Sequence, residues 1–155
     1  NPSEHYNDFV SGIGGVRVPT ESEGGTIKDK DLFLGFMKFK VDNEDREVSA
    51  FKLKNGEYKI KPWYNNTEDR TVGTDYWMST QGISRSEIAE DFHTHPNAKG
   101  WPSWYDGRQS AVLGAPVYSI EAKTHKIYLA TPQMSRLPLK APQGLNWFGT
   151  IVNNY

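Results

Sequence analysis

"EIAEDFHTHPNAKGWPSWYDGRQSAVLGAPVYSI", residues 87–120, decides how this chain is read. Its first nine residues end in His93-Thr94-His95 and read as a strand, which Pro96 stops because proline cannot donate a ladder hydrogen bond. "SWYDGRQSAVLG" reads as a helix with Ser103 as N-cap and Gly114 closing it. "PVYSI" is the next strand, and "KIYLAT" a further one, joined to it around "EAKTH". Strand, helix and hairpin in succession indicate an α/β (α+β) mixture.

Upstream, "EVSAFKLKNGEYKIKP", residues 47–62, is a hairpin about Asn55-Gly56, the preferred pair of a type I′ turn. A two-residue loop predicts Lys54 opposite Glu57, Leu53 opposite Tyr58 and Phe51 opposite Ile60, with Lys52 facing Lys59 on the other side. "DLFLGFMKFKV" reads as a half-buried strand, because Met37, Phe39 and Val41 alternate with lysines. Residues 64 to 86 read as a long polar loop with a short strand around Tyr76, Trp77 and Met78. At the N-terminus a short helix is expected, capped by Ser3, with Tyr6, Phe9 and Val10 on one face and Gly12 at its end. A Gly-rich loop follows it, and the proline-rich tail from Pro132 is expected to wrap the surface.

The 155 residues amount to one domain, 1–155, and 36% hydrophobic with 24% charged residues is the balance of a globular protein. A net charge of −1 gives no general attraction to nucleic acid, and no apolar run approaches the ~20 residues of a membrane span. The start at Asn1 is expected for a domain cut from a longer protein, or a processed one. Without cysteine, any metal must be held by nitrogen and oxygen.

Alternation along a strand puts His93 and His95 on one face, with Phe92 and Thr94 on the other. Asp106 follows in the first turn of the next helix. Two imidazoles and a carboxylate suit Zn²⁺ and leave a position for water, whose acidity the metal raises. A plainer account exists: Ser103-x-x-Asp106 is also a capping box, and four histidines in this length produce an H-x-H by chance about 0.1 times. The metal reading is preferred because the later Ser and Asp must coincide as well.

His93-x-His95, seven residues, Ser103, two residues, Asp106 resembles the signature of the JAMM metallopeptidases, the MPN or JAB domain family. The resemblance implies an MPN/JAB-like fold, with a mixed, partly antiparallel sheet flanked by helices. It further implies that His93, His95 and Asp106 bind zinc and that Ser103 stabilises the oxyanion. The family's general base is an upstream glutamate that opens a strand. Glu47, with Ala50 at the small position after it, fits best, and Glu23 is the runner-up. Trp101 and Trp104 flank the site, where they either line a substrate groove or pack the 97–102 loop.

In layout the sequence is most similar to JAB-like domains of bacterial polymorphic toxins, over about residues 47–132. The expected activity is zinc-dependent cleavage of an amide bond, as a peptidase or isopeptidase acting on a protein or peptide. A toxin or effector domain of a larger bacterial protein, secreted or delivered, with a cognate immunity protein, is the context this likeness implies. The alternative is a non-catalytic MPN-like interaction module. An H-x-H phosphoesterase on a barrel fold is disfavoured, because such folds need a longer polypeptide with more histidines.

Overall fold

The computed structural model describes residues 18–96, 104–132 and 150–155. The expected N-terminal helix, Ser103, Trp101 and most of the proline-rich tail lie outside those residues. Among the described residues seven strands form one sheet: β1 (Gly25–Ile27), β2 (Ser49–Leu53), β3 (Tyr58–Ile60), β4 (Ile88–His95), β5 (Val117–Glu121), β6 (Lys126–Ala130) and β7 (Thr150–Asn154). Their spatial order is β1-β3-β2-β4-β5-β6-β7. All neighbours are antiparallel except β4 and β5. The α-helices among the described residues are α1 (Lys30–Asn43), α2 (Thr74–Gln81) and α3 (Trp104–Leu113). The mixed, partly antiparallel sheet with flanking helices is the α/β (α+β) architecture expected. Among the described residues no helix is long and apolar enough to cross a membrane.

Segment 30–43 is a helix and not the expected strand. Its buried residues Phe33, Phe36, Met37 and Val41 recur at helical spacing, which the alternation of Met37, Phe39 and Val41 obscured. Asp29 caps it, accepting from the Leu32 N–H at 2.9 Å, a contact worth ~1 kcal/mol. Phe33 stacks on Tyr58 at 4.0 Å between centroids and meets Phe92 edge-on at 5.0 Å. With Ala50, Ile60, Trp63, Ile120 and Ile127 these side chains form the larger core, on the α1 face of the sheet.

The 47–62 hairpin is real, but its register is one residue away from the expected one. Ala50 pairs with Ile60, Phe51 with Lys59 and Lys52 with Tyr58. The loop is longer: Gly56 N–H donates to Leu53 C=O at 2.9 Å, Leu53 N–H donates to Glu57 C=O, and Gly56 takes φ +93°. Asn55 is not at positive φ, so the type I′ turn is excluded in favour of a bulged three-residue loop. A slip of one residue exchanges faces. Tyr58 and Ile60 therefore face α1, while Phe51 and Leu53 pack behind the sheet with Trp77, Met78, Ile83, Ile88 and Ala115.

That second apolar cluster explains the other correction. Residues 74–81 are helix α2, not a short strand: Trp77 and Met78 are buried, and Gly73 and Gly82 bound it in left-handed conformations. Gly82 N–H and Ile83 N–H both return to Met78 C=O, as a C-terminal glycine stop does. The last described residues also add strand β7 to the sheet edge beside β6, which the surface-wrapping expectation did not contain.

Candidate metal centre

β4 and β5 run parallel, joined by the segment that carries α3, so both strands end at the same edge of the sheet. His95 closes β4 and Glu121 closes β5, paired side by side, and His93 is paired with Ser119. On the other flank β2 is antiparallel to β4, with Ser49 opposite His93. Continuing that register outward sets Val48 beside Thr94 and Glu47 beside His95, on the same face of the sheet. Two buried contacts hold this extension: Thr94 N–H donates to Val48 C=O at 3.0 Å, and Val48 N–H donates to Thr94 Oγ1 at 2.8 Å. Glu47 reaches the histidines because of this pairing.

His93 and His95 share a face, as alternation requires, with ring centroids 4.6 Å apart, while Phe92 lies in the core on the α1 side. Asp106, in the first turn of α3, places Oδ1 2.8 Å from His93 Nε2 and Oδ2 4.0 Å from His95 Nε2. Glu47 Oε1 lies 3.5 Å from His95 Nε2. One ligand atom each from Glu47, His93 and His95 fall within 4.8 Å of one another. Both Nε2 atoms thus meet carboxylates at one point.

The opposite nitrogens meet carboxylates too. His95 Nδ1 is 2.6 Å from Glu121 Oε1, and His93 Nδ1 is 4.0 Å from Asp91 Oδ1. A carboxylate hydrogen-bonded behind a histidine, as Glu121 is to His95, fixes its tautomer and aims the other nitrogen, whereas Asp91 Oδ1 at 4.0 Å acts on His93 through its charge and not through a hydrogen bond. Asp91 and Glu121 were missed in the sequence. Asp91 is legible in retrospect, two residues before His93 on the same face, whereas Glu121 depends on the parallel pairing of β5.

Six titratable groups are crowded together: carboxyls of Glu47, Asp91, Asp106 and Glu121 and imidazoles of His93 and His95. A metal held by both imidazoles needs them neutral, so the four carboxylates would then face the cation without the imidazolium charges. Burial raises the Glu47 carboxyl above its ordinary value, and Asp106 adds to this against the pull of both histidines. Burial, with repulsion from Asp106 and Glu47, pushes Asp91 up to about 7 despite His93. For His93 burial is the largest single influence and disfavours the imidazolium. Asp106, by charge and hydrogen bond, outweighs it together with Asp91 and Glu47, and the imidazole rises to about 10. Asp106 thus favours a proton on His93, which a cation bound there would have to replace. The nitrogen and carboxylate donors, with the Glu121 carboxylate behind His95, fit a divalent metal such as zinc.

The centre lines an open cleft of about 710 Å³ whose walls include Asp69, Arg70, Thr74, Met78, Arg85 and Val112. Glu23 sits in the exposed 20–24 turn and lines a different cleft with Tyr64 and Tyr76, so it is not the acid at the histidines. Ser103 and Trp101 lie outside the described residues. Trp104 opens α3, and its side chain is likewise outside what the structure describes. The far end of α3 is as expected, with Gly114 at φ +67° and its N–H donating to Ser110 C=O. The protein matches no protein-family model, and comparisons with curated proteins and with solved structures return no significant match.

Proposed function

We propose that this domain is a zinc-dependent amide-bond hydrolase of the JAMM type, a peptidase or isopeptidase acting on a protein or peptide. The observation that carries the proposal is the acid at the histidines: Glu47 Oε1 lies 3.5 Å from His95 Nε2, beside the His93–Asp106 pair. A two-histidine, one-carboxylate set needs a further carboxylate to act as base, and the nearness of Glu47 to both imidazoles supports that role for it. His93, His95 and Asp106 would hold the ion. When bound, zinc supplies a more acidic water and polarises the scissile carbonyl.

The protein's own residues do the rest. Glu121 keeps His95 Nε2 directed into the cleft. Glu47, desolvated and with its carboxyl raised, takes the proton from the attacking water and delivers it to the leaving amine nitrogen. Ser103, immediately before α3, is the hydroxyl donor to the oxyanion by the resemblance. The cleft of about 710 Å³ is open to solvent and is lined by Glu47, His93, His95 and Asp106. A toxin or effector role, and an immunity protein as partner, rest on the resemblance alone. The interaction-module alternative gains nothing from an acid held against the histidines.

Zinc content by mass spectrometry and cleavage of a quenched fluorescent peptide mixture test the proposal together. The native protein is expected to carry one zinc and to cleave. Glu47→Gln should keep zinc and lose cleavage, while His93→Ala and His95→Ala should lose both. A native protein without zinc affinity, or Glu47→Gln cleaving at the native rate, sinks it.

A further inference from the structure

Glu47 belongs to no regular strand, yet both of its backbone polar groups are tied to the same short segment. Its N–H donates to Thr67 C=O at 2.8 Å, and its C=O accepts from Asn66 Nδ2 at 2.8 Å. Asn66 is 4% exposed. Its other amide atom is also fully used: Oδ1 accepts from Lys61 Nζ at 3.1 Å and from Val72 N–H at 3.1 Å. Two donors converge on one end of the amide and an acceptor faces the other, so only one orientation of the side chain satisfies all three.

The ammonium of Lys61 is as buried as the amide, at 3% exposure, and Asn66 Oδ1 is its hydrogen-bond partner. Burial alone lowers Lys61, to about 8, with no carboxylate acting to raise it. A desolvated cation of this kind is a poor contributor to stability. What it does is lock the amide, because reversing Asn66 would turn Nδ2 toward an ammonium. The segment it organises is a wall of the metal cleft: Thr67 N–H donates to Arg70 C=O at 2.9 Å, and Asp69, Arg70 and Thr71 line the cleft.

We propose that Asn66 is the positioning residue for Glu47, its amide held in one orientation by Lys61 and Val72 so that it clamps the Glu47 carbonyl and sets the carboxylate against His95. The inference rests on Glu47 being the base. Its structural half, where Glu47 sits, is testable without zinc or turnover. Asn66→Asp is the discriminating variant. It keeps an acceptor for Lys61 and Val72 N–H, but it has no donor for Glu47 C=O.

In the zinc-free protein, the nuclear Overhauser contact between Glu47 Hγ and His95 Hε1 should be present in the native protein and lost in Asn66→Asp. The Val72 amide should keep its protection from exchange in Asn66→Asp and lose it in Asn66→Ala. Zinc affinity, measured by competition with a chromophoric chelator, should stay within about twofold, because His93, His95 and Asp106 are untouched. On the peptide mixture, kcat should fall on the order of 10–100-fold with KM nearly unchanged, the loss expected when a reacting group moves by about an ångström. On a Glu47→Gln background the same change should have no further effect on rate.

Lys61→Met, which preserves bulk, should weaken the same contact while the protein stays folded. A native contact and native rate in Asn66→Asp overturn the proposal. So does a tenfold loss of zinc affinity, since Asn66 would then support the ligands and not the base. Should the native protein cleave nothing while the contact vanishes in Asn66→Asp, the clamp stands and the hydrolase reading falls.

Discussion

On the proposed reading zinc must displace a proton from His93, and that requirement sets how its affinity would depend on pH. Asp106, Asp91 and Glu47 push the imidazole up to about 10 in the metal-free protein, from an ordinary 6.5. At pH 7 the ring is therefore protonated, and removing its proton costs ~1.4 kcal/mol for each of three pH units, or ~4 kcal/mol. Zinc should accordingly bind ~1000-fold more weakly at pH 7 than to an already neutral His93. Between pH 7.5 and 8.5 the apparent Kd should fall about tenfold, with close to one proton released for each zinc bound. Asp91, raised to about 7, holds a proton below that pH, so the dependence should steepen there.

The stability of the metal-free protein moves the other way. Both groups have folded values above their unfolded ones. Their contribution is fully present below the unfolded values and is lost as pH rises through about 7 for Asp91 and about 10 for His93. The metal-free Tm should therefore decline above neutrality, while the increase in Tm caused by zinc grows over the same range. Calorimetric titration in buffers of different ionisation enthalpy counts the protons, and chelator competition at pH 6.5, 7.5 and 8.5 gives the slope. A Kd independent of pH between 7.5 and 8.5, with fewer than about 0.2 protons released, would refute the His93–Asp106 ion pair.

Three further outcomes follow from single contacts. Glu121→Gln should lower zinc affinity by about 10–100-fold with the fold intact, read by chelator competition and circular dichroism, because the carboxylate behind His95 is removed. Phe33→Ala, at the centre of the α1 core, should cost ~3–5 kcal/mol in urea unfolding of the zinc-free protein, against within ~0.5 kcal/mol for exposed Tyr76→Ala. Gly24→Ala should destabilise strongly or prevent folding, since Gly24 sits at φ +67° and a Cβ would come within 2.0 Å of Ile60 O; expression and melting temperature decide it.

What the sequence hid about the fold has a common cause. In 30–43, lysines fall between Met37, Phe39 and Val41 and mimic strand alternation, yet the residues that reach the core are Phe33, Phe36, Met37 and Val41. Asp29 was a cap in plain view, and weighing it would have favoured the helix. In the hairpin, Phe51 and Leu53 look like natural partners for Tyr58 and Ile60, because matching apolar residues assumes one buried face. Here both faces are covered, by α1 on one side and by α2 on the other. β2 is buried almost throughout, so alternation carried no information about its direction.

The nearness of the candidate residues to one another was legible for a physical reason. His93 and His95 need only strand alternation, which survives any error of register because both move together. Asp106 needs only a helix start close after the strand. Glu47 is different in kind: sequence separation says nothing about pairing, and Glu47 and Glu23 were equal on charge. The antiparallel register that sets Ser49 against His93 separates them, because it brings position 47 beside 95 and leaves Glu23 in an exposed turn. The carboxylates behind the rings follow the same division. Asp91 belongs to the histidines' own strand, but Glu121 arrives only through the parallel β4–β5 pair. Residues sharing one element with the histidines are therefore open to sequence reasoning, and those delivered by a neighbouring strand require the sheet order first. Asn66 lies a step further out. It acts on Glu47 through side-chain hydrogen bonds from a loop, and neither periodicity nor strand order bears on where such a side group goes.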